Sequence, residues 1–330
     1  MNASTASKLT WSSPNLCRWL GGFLFGLALT GLVPAAPASD GPYLFTSFHD
    51  ADQKFLRYLY SYDGYHWTNV PGTFLEARVG ASKQFRDPSI SRGPDGVFHL
   101  AWTAGWHGEQ GFGIANSMDL IHWSNQQFIP VMTNEPTTVN VWAPELYYDE
   151  PAGDYLIMWA STIPGRHPDG VEKHDNNHRL YYTRTRDFQT FAPEQEFFDG
   201  GFSVIDPFLL KDGGRYVLVC KDNTRPNLNL RVAFASAPNG PWTRVSPPIT
   251  AKFSEGPCAL KIGEDWLIYF DAYRLKRFGA VKTRDFQTFT DISGEVSFPS
   301  GHKHGTAIRI TQPLLDGLLQ STNLTNPSHL

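Results

Sequence analysis

The chain has 330 residues, 41% hydrophobic and 14% aromatic, with 18% charged residues and a formal net charge of −4. That length holds one large domain or two ordinary ones, and 29 glycines with 24 prolines favour a turn-dense all-β protein. The balance of charge leaves no basic footprint for nucleic acid, whereas surplus aromatic rings suit uncharged ligands such as sugars, with most tryptophans expected in inter-sheet cores.

Residues 1–39 read as a signal peptide. Lys8 and Arg18 supply positive charge, Trp19 to Val33 form an apolar run, and Ala36-Pro37-Ala38 offers a small-x-small cleavage site. The run is short for a membrane span. The expectation is therefore a secreted or periplasmic protein, with no membrane attachment once the leader is removed. Cys17 falls in the leader. Cys220 and Cys258 sit in apolar strand-like runs, where buried free thiols are ordinary, and nothing in their spacing demands a disulfide.

Two series of repeats run through the remaining chain. The first is Ser61 to Trp67 (SYDGYHW), Ser117 to Trp123 (SMDLIHW), Thr185 to Phe191 (TRDFQTF), Ser236 to Trp242 (SAPNGPW) and Thr283 to Phe289 (TRDFQTF). Each opens on Ser or Thr and ends on an aromatic residue, which suits a tight hairpin turn followed by a side chain that packs between sheets. The spacing, roughly 50 residues, matches a four-stranded propeller blade. The second series opens the first strand of each unit: Asp87-Pro88, Trp142-Ala-Pro-Glu145, Asp206-Pro207, Glu255-Gly-Pro257 and His304-Gly-Thr306.

The two series are offset. The copy at Ser61 has no acid-proline strand before it, and the strand at His304 has no turn copy after it, so joining the two ends completes a fifth blade. The expected architecture is an all-β, five-bladed β-propeller over residues 40–313, closed by N- and C-terminal strands sharing one blade, with a loose polar tail over 314–330. Residues 163–178 form a long polar insertion whose histidines, His167, His174 and His178, are too irregularly spaced for a metal site and read as solvated.

First strands of all blades surround the central channel, so Asp87, Asp206 and Glu255, taken as corresponding positions in blades one, three and four, should converge. Glycoside hydrolysis needs a protonated acid at the leaving oxygen and a carboxylate acting as base or nucleophile. A third carboxylate nearby raises the proton affinity of the acid. Turn chemistry also favours Asp and Glu beside proline, but triple recurrence exceeds what turns require.

These motifs, in this order and spacing, resemble glycoside hydrolase family 43 across essentially the whole mature chain. The resemblance implies an inverting glycosidase acting on arabinofuranosides or xylosides, with Asp87 as general base, Asp206 as modulator and orienter, and Glu255 as general acid. It needs no cofactor for the chemistry. His304 would sit in the channel near a structural calcium. Glu145 stands where many relatives carry Asp, and it receives no catalytic role. Trp106, His107, Trp142 and Arg274 are candidate walls of the sugar site. Trp106 and the long insertion favour a pocket, hence exo action on terminal or side-chain sugars of an oligo- or polysaccharide, by a monomer. Two other readings stand beside this one. A retaining fructan or sucrose hydrolase would carry an Asn-Asp-Pro-Asn segment and a Glu-Cys acid motif, both missing here. A non-catalytic carbohydrate-binding propeller need not keep three channel acids.

Overall fold

The computed structural model of the protein describes residues 41–324, apart from positions 169, 171 and 173–175. The expected leader over 1–39, with Cys17, and His174 lie outside the described residues. The strands in chain order are β1 (Tyr43–Ser47), β2 (Phe55–Ser61), β3 (Thr68–Glu76), β4 (Arg86–Arg92), β5 (Phe98–Thr103), β6 (Gly111–Ser117) and β7 (Gln127–Pro130). Then come β8 (Trp142–Asp149), β9 (Asp154–Thr162), β10 (His178–Thr185), β11 (Gln195–Phe198), β12 (Val204–Asp212), β13 (Arg215–Asp222) and β14 (Asn229–Ala235). The last blade and the closure use β15 (Glu255–Ile262), β16 (Asp265–Ala272), β17 (Arg277–Thr283), β18 (Thr290–Asp291) and β19 (Ala307–Arg309), followed by a helix, α1 (Gln312–Leu324).

Among the described residues these strands form five antiparallel sheets: β4-β5-β6-β7, β8-β9-β10-β11, β12-β13-β14, β15-β16-β17-β18 and β19-β1-β2-β3. The protein is a five-bladed β-propeller. The fifth blade joins the two ends of the ring, with β19 on β1 in the register Tyr43↔Arg309 and Phe45↔Ala307. The second strand β5 is buried along its whole length because its blade is covered on both faces by its neighbours. Apolar side chains fill the spaces between blades. Trp67, the aromatic end of the first turn copy, stacks on Phe298 and meets Phe45 and Tyr269 edge-on between blades five and four. Cys220 and Cys258 are buried free thiols in this core.

The repeated Ser/Thr-x-Asp signature is a doubly capped turn. Ser61 Oγ accepts the Gly64 N–H at 2.9 Å, while Asp63 Oδ1 accepts those of Tyr65 and His66 at 2.7 and 2.8 Å. Ser117 with Asp119, Thr185 with Asp187, and Thr283 with Asp285 repeat the pattern. In these four copies the residue after Asp is left-handed, with φ of 77° at Gly64, 69° at Leu120 and 55° at both Phe188 and Phe286. The copy at Ser236 has no Asp and closes instead through Gly240 N–H to Ala237 O.

Blade three has no fourth strand among the described residues. Pro241, Pro247 and Pro248 prevent one, since proline cannot donate to a ladder. Hydroxyls take its place: the amides of Leu230, Val232 and Phe234 donate to Thr250, Ser246 and Thr243 Oγ atoms at 3.0, 3.1 and 3.0 Å. The carbonyls of the same three residues accept from the amides of Ile249, Ser246 and Thr243.

Over residues 314–324 the chain is not the loose polar end expected of 314–330, whose last six residues lie outside the described ones. Its leucines at 314, 315, 318 and 319 follow helical spacing, and α1 buries Leu315 and Leu318 against the cluster holding Leu56, Phe85 and Trp102. Among the described residues no helix is long and apolar enough to cross a membrane.

Candidate active site

In four blades the first strand opens on a left-handed residue followed by proline, with φ of 50° at Asp87, 48° at Ala143, 53° at Asp206 and 56° at Gly256. Non-glycine residues resist this conformation by about 1–2 kcal/mol each, so the kinks are local strain held by the ladder around them. Pairing with the second strand slips at the same point in all four, between Arg86 and Ser89, Trp142 and Glu145, Ile205 and Phe208, and Glu255 and Cys258. Such bulges re-aim a side chain. Asp87 and Asp206 accordingly border both a small channel cavity and the pocket above it.

This register corrects one expectation. Glu255 is not at the position corresponding to Asp87 and Asp206; Gly256 is. A Cβ at Gly256 would overlap the His304 imidazole, so that place admits only glycine. The carboxylate is carried one residue earlier, where blades one, two and three have Arg86, Trp142 and Ile205. It still faces the same pocket, a cavity of about 80 Å³ bordered by Asp87, Asp206, Glu255, His304, Trp106 and Trp142.

Each carboxylate has its own partners. His304 Nε2 lies 2.9 Å from Asp87 Oδ1, and Thr103 Oγ donates to Asp87 Oδ2 at 2.7 Å. Burial alone would raise the Asp87 pKa, but the His304 hydrogen bond, the Arg86 charge and the Thr103 hydroxyl hold it at about 2. Asp206 accepts the Gly256 N–H at 2.9 Å. Its pKa is raised, first by burial and then by the charges of Glu255 and Asp87, against the pull of His304 and Lys221. Glu255 is the most exposed of the three, and its Oε2 is held by the buried Lys221 ammonium at 2.8 Å.

Four polar residues of this cluster escaped the sequence reading: Thr103, Lys221, Asp271 and Lys303. Thr103, Lys221 and Asp271 share a signal, each being the polar residue after an apolar run on a second strand. They pair across the ladder with Arg86, Ile205 and Glu255. Asp271, directly opposite Glu255, is tied to Lys303 Nζ at 2.7 Å. His304 Nδ1 stands 4.0 Å from Asp271 Oδ2, beyond hydrogen-bond reach but close enough for charge attraction. Burial opposes a charged His304, yet its two carboxylate neighbours raise its pKa well above the usual histidine value.

The walls divide the remaining candidates. Trp106 lies over the Arg86 guanidinium at 4.5 Å and meets Trp142 edge-on at 5.0 Å, and Trp142 Nε1 donates to the Trp106 carbonyl at 2.7 Å. His178 is fully buried rather than solvated, stacked on the other side of Trp142 with centroids 4.7 Å apart. His107 packs beside the two tryptophans but does not border the pocket. Arg274 is not brought to the carboxylates; it lines two neighbouring cavities.

Glu255, Asp271 and His304 present ligand atoms within 4.8 Å of one another, which invites the expected calcium. The donor set does not fit one. Lys221 and Lys303 already neutralise the two carboxylates, His304 Nε2 is turned onto Asp87, and calcium takes six to eight oxygens. Deeper in the channel, a cavity of about 20 Å³ has room for little more than a water. Glu145 borders it, and burial pushes the Glu145 pKa up to about 8 despite hydrogen bonds from Ser89 and Thr306, so it offers a neutral acid at pH 7 rather than a cation ligand.

Comparison with known proteins agrees with this architecture. The family model described as "Probable glycosyl hydrolase domain", a family-43-related domain, matches residues 40–316. An alpha-L-arabinofuranosidase from Bifidobacterium longum subsp. longum is 27% identical over 136 residues, 38% of this chain and 13% of that protein. The chain thus spans about an eighth of that relative's length. Among solved structures, an endo-1,4-beta-xylanase from Bacteroides thetaiotaomicron has a TM-score of 0.57 at 15% identity, covering 81% of this chain and 94% of that one. A Bifidobacterium bifidum s17 structure described as a "putative exo-beta-1,3-galactanase" has a TM-score of 0.59 at 13% identity, covering 80% and 91%. At these identities the structures share the fold. The chain belongs to the family-43-related glycosyl hydrolases.

Proposed function

We propose that the protein is an inverting glycoside hydrolase, exo-acting on terminal or side-chain α-L-arabinofuranosyl or β-D-xylosyl residues of plant-type polysaccharides. The observation that carries this reading is the contrast between two carboxylates facing one pocket. Asp87 is held ionised by three neighbours, whereas Glu255, bordering the same pocket, is partly exposed. Asp87 takes a proton from a water that attacks the anomeric carbon. Glu255 gives its proton to the departing glycosidic oxygen, and the carbon–oxygen bond breaks as the new one forms. Asp206, bordering the same pocket, acts as modulator of the acid and orients the sugar. In the free protein the Lys221 ammonium faces Glu255 Oε2 at 2.8 Å, so Glu255 has to take up a proton from solvent as substrate binds before it can give one to the glycosidic oxygen. The wall of Trp106 and Trp142 supports a closed end and hence release of terminal sugars. Galactosyl substrates are the main competing sugar class, given the galactanase structure that shares the fold. We further propose that the protein is exported, to the periplasm or outside the cell, and acts as a monomer.

A nitrophenyl glycoside panel followed by NMR of the first-formed anomer tests the reaction. Inverted product from an arabinofuranoside or xyloside is expected, and retained configuration would remove the water-activating role of Asp87. Glu255→Gln should lower kcat by about 10²–10⁴ on substrates with poor leaving groups.

A further inference from the structure

Beside Glu255 lies a second cavity, of about 470 Å³, bordered by Arg225, Phe253, Tyr273, Arg274, Lys276 and Glu172 among others. Arg225 comes from the loop between β13 and β14. Arg274 and Lys276 come from the turn between β16 and β17, which is closed by Leu275 N–H to Ala272 O at 2.8 Å. We propose that this cavity is the leaving-group subsite and that it takes a sugar bearing an anionic group, a uronate carboxylate or a sulfate ester.

Three observations converge on it. The first is unspent positive charge. Arg184, Arg215 and Arg231 are each paired with aspartates, but among the described residues neither Arg225, Arg274 nor Lys276 has a carboxylate partner. The carboxylate in the cavity, Glu172, is turned onto Asn223 and His178. Among the described residues its lining carries three cations, Arg225, Arg274 and Lys276, against the one carboxylate of Glu172, in a chain of net charge −4. The second is shape chemistry. Phe253 and Tyr273 meet edge-on at 5.8 Å and offer ring faces for a sugar, with the Arg274 guanidinium 5.2 Å over Phe253. A guanidinium presents parallel N–H donors that match a carboxylate or a sulfate.

The third is direction. Lys221 Nζ lies 5.0 Å from the Tyr273 ring centre and 2.8 Å from Glu255, so one side chain separates this cavity from the pocket carboxylate. Inversion places the attacking water and the leaving oxygen on opposite sides of the anomeric carbon. With base on blade one and acid on blade four, the departing portion extends past Glu255 toward the loops of blades three and four. This direction rests on the roles proposed above for Asp87 and Glu255.

The test is calorimetric titration of the intact protein with a glucuronate-bearing xylo-oligosaccharide, the same oligosaccharide bearing a sulfate ester, and the neutral parent. The same titrations use an Arg225→Gln/Lys276→Gln double variant whose melting temperature is checked against wild type. At about 20 mM salt, an anionic ligand is expected to bind about tenfold more tightly than the neutral one, and the advantage should shrink at about 300 mM and vanish in the double variant. The stronger of the two anionic arms identifies the group. Equal binding of charged and neutral ligands, or an advantage that survives the double substitution, overturns the proposal. Hydrolysis of a neutral nitrophenyl glycoside is measured in parallel. If that is present without any anionic preference, the subsite alone fails; anionic preference without hydrolysis of any glycoside sinks the hydrolase reading instead.

Discussion

Asp87 owes its low pKa to a histidine that reaches it from the far end of the chain. His304→Ala removes both that hydrogen bond and the imidazolium charge, so the Asp87 pKa should climb from about 2 toward its ordinary value. The acid limb of the kcat/KM profile should then move to higher pH; an unmoved limb would mean that Asp87 is not the titrating base. Glu145 gives the opposite test. Its folded pKa of about 8 lies above the unfolded 4.5, so the folded chain keeps a proton that the unfolded chain releases as pH rises through that window. Stability falls there by at most about 1.4 kcal/mol per pH unit. Glu145→Gln should therefore raise the melting temperature at pH 8 and leave it near wild type at pH 4.5, as read by calorimetry. Asp87 and Asp206 were legible because an acid before proline is a rare enough pairing to stand out when repeated. Lys221 was not: a lysine closing an apolar strand equally reads as a chain leaving the core, and only the packing of blade three against blade four brings it to Glu255.

At the scale of single elements, the outer edge of blade three and the final helix carry the clearest tests. The Thr243, Ser246 and Thr250 hydroxyls each satisfy an edge amide, and a net hydrogen bond contributes about 0.5–1.5 kcal/mol. Replacing all three by alanine should lower stability by a few kcal/mol in urea titration, since three edge amides lose their acceptors while the carbonyls keep their donors. Leu315 is fully buried in α1, and Leu315→Ala should cost about 2–5 kcal/mol. The blades were readable because their turns repeat a chemical pattern, Ser or Thr followed by Asp, whose hydrogen bonds are local. The helix was missed because a single short run of leucines after a proline has no repeat to compare with, and its partners in blades five and one are far away in sequence.

For the molecule as a whole, the closure of the ring holds two histidines together. His49, just after β1, and His302, just before β19, form an isolated bridge with ring centres 4.4 Å apart, and His302 Nδ1 lies 3.0 Å from Ser47 Oγ. Burial, then the neighbouring His49 and Arg57, push the His302 pKa down to about 3, with Asp52 also in the cluster acting on His49. Because the folded chain refuses a proton that the unfolded chain accepts below about 6.5, stability should fall as pH drops from about 6.5 toward 3. Urea midpoints across that range should slope downward in wild type and less so in His302→Asn; equal slopes would clear the histidine of any part in closure.

The hydrogen bond from His304 to Asp87 has a further consequence, for the order in which the protein is made. Synthesis proceeds from the N-terminus, so all of the pocket carboxylates leave the ribosome before their last partner does, and β19 arrives only after four blades have been translated. A partly made copy that stops before His304 lacks the hydrogen bond that holds Asp87. Competence waits for His304, which is translated after four blades and lies just ahead of the strand that locks the ring.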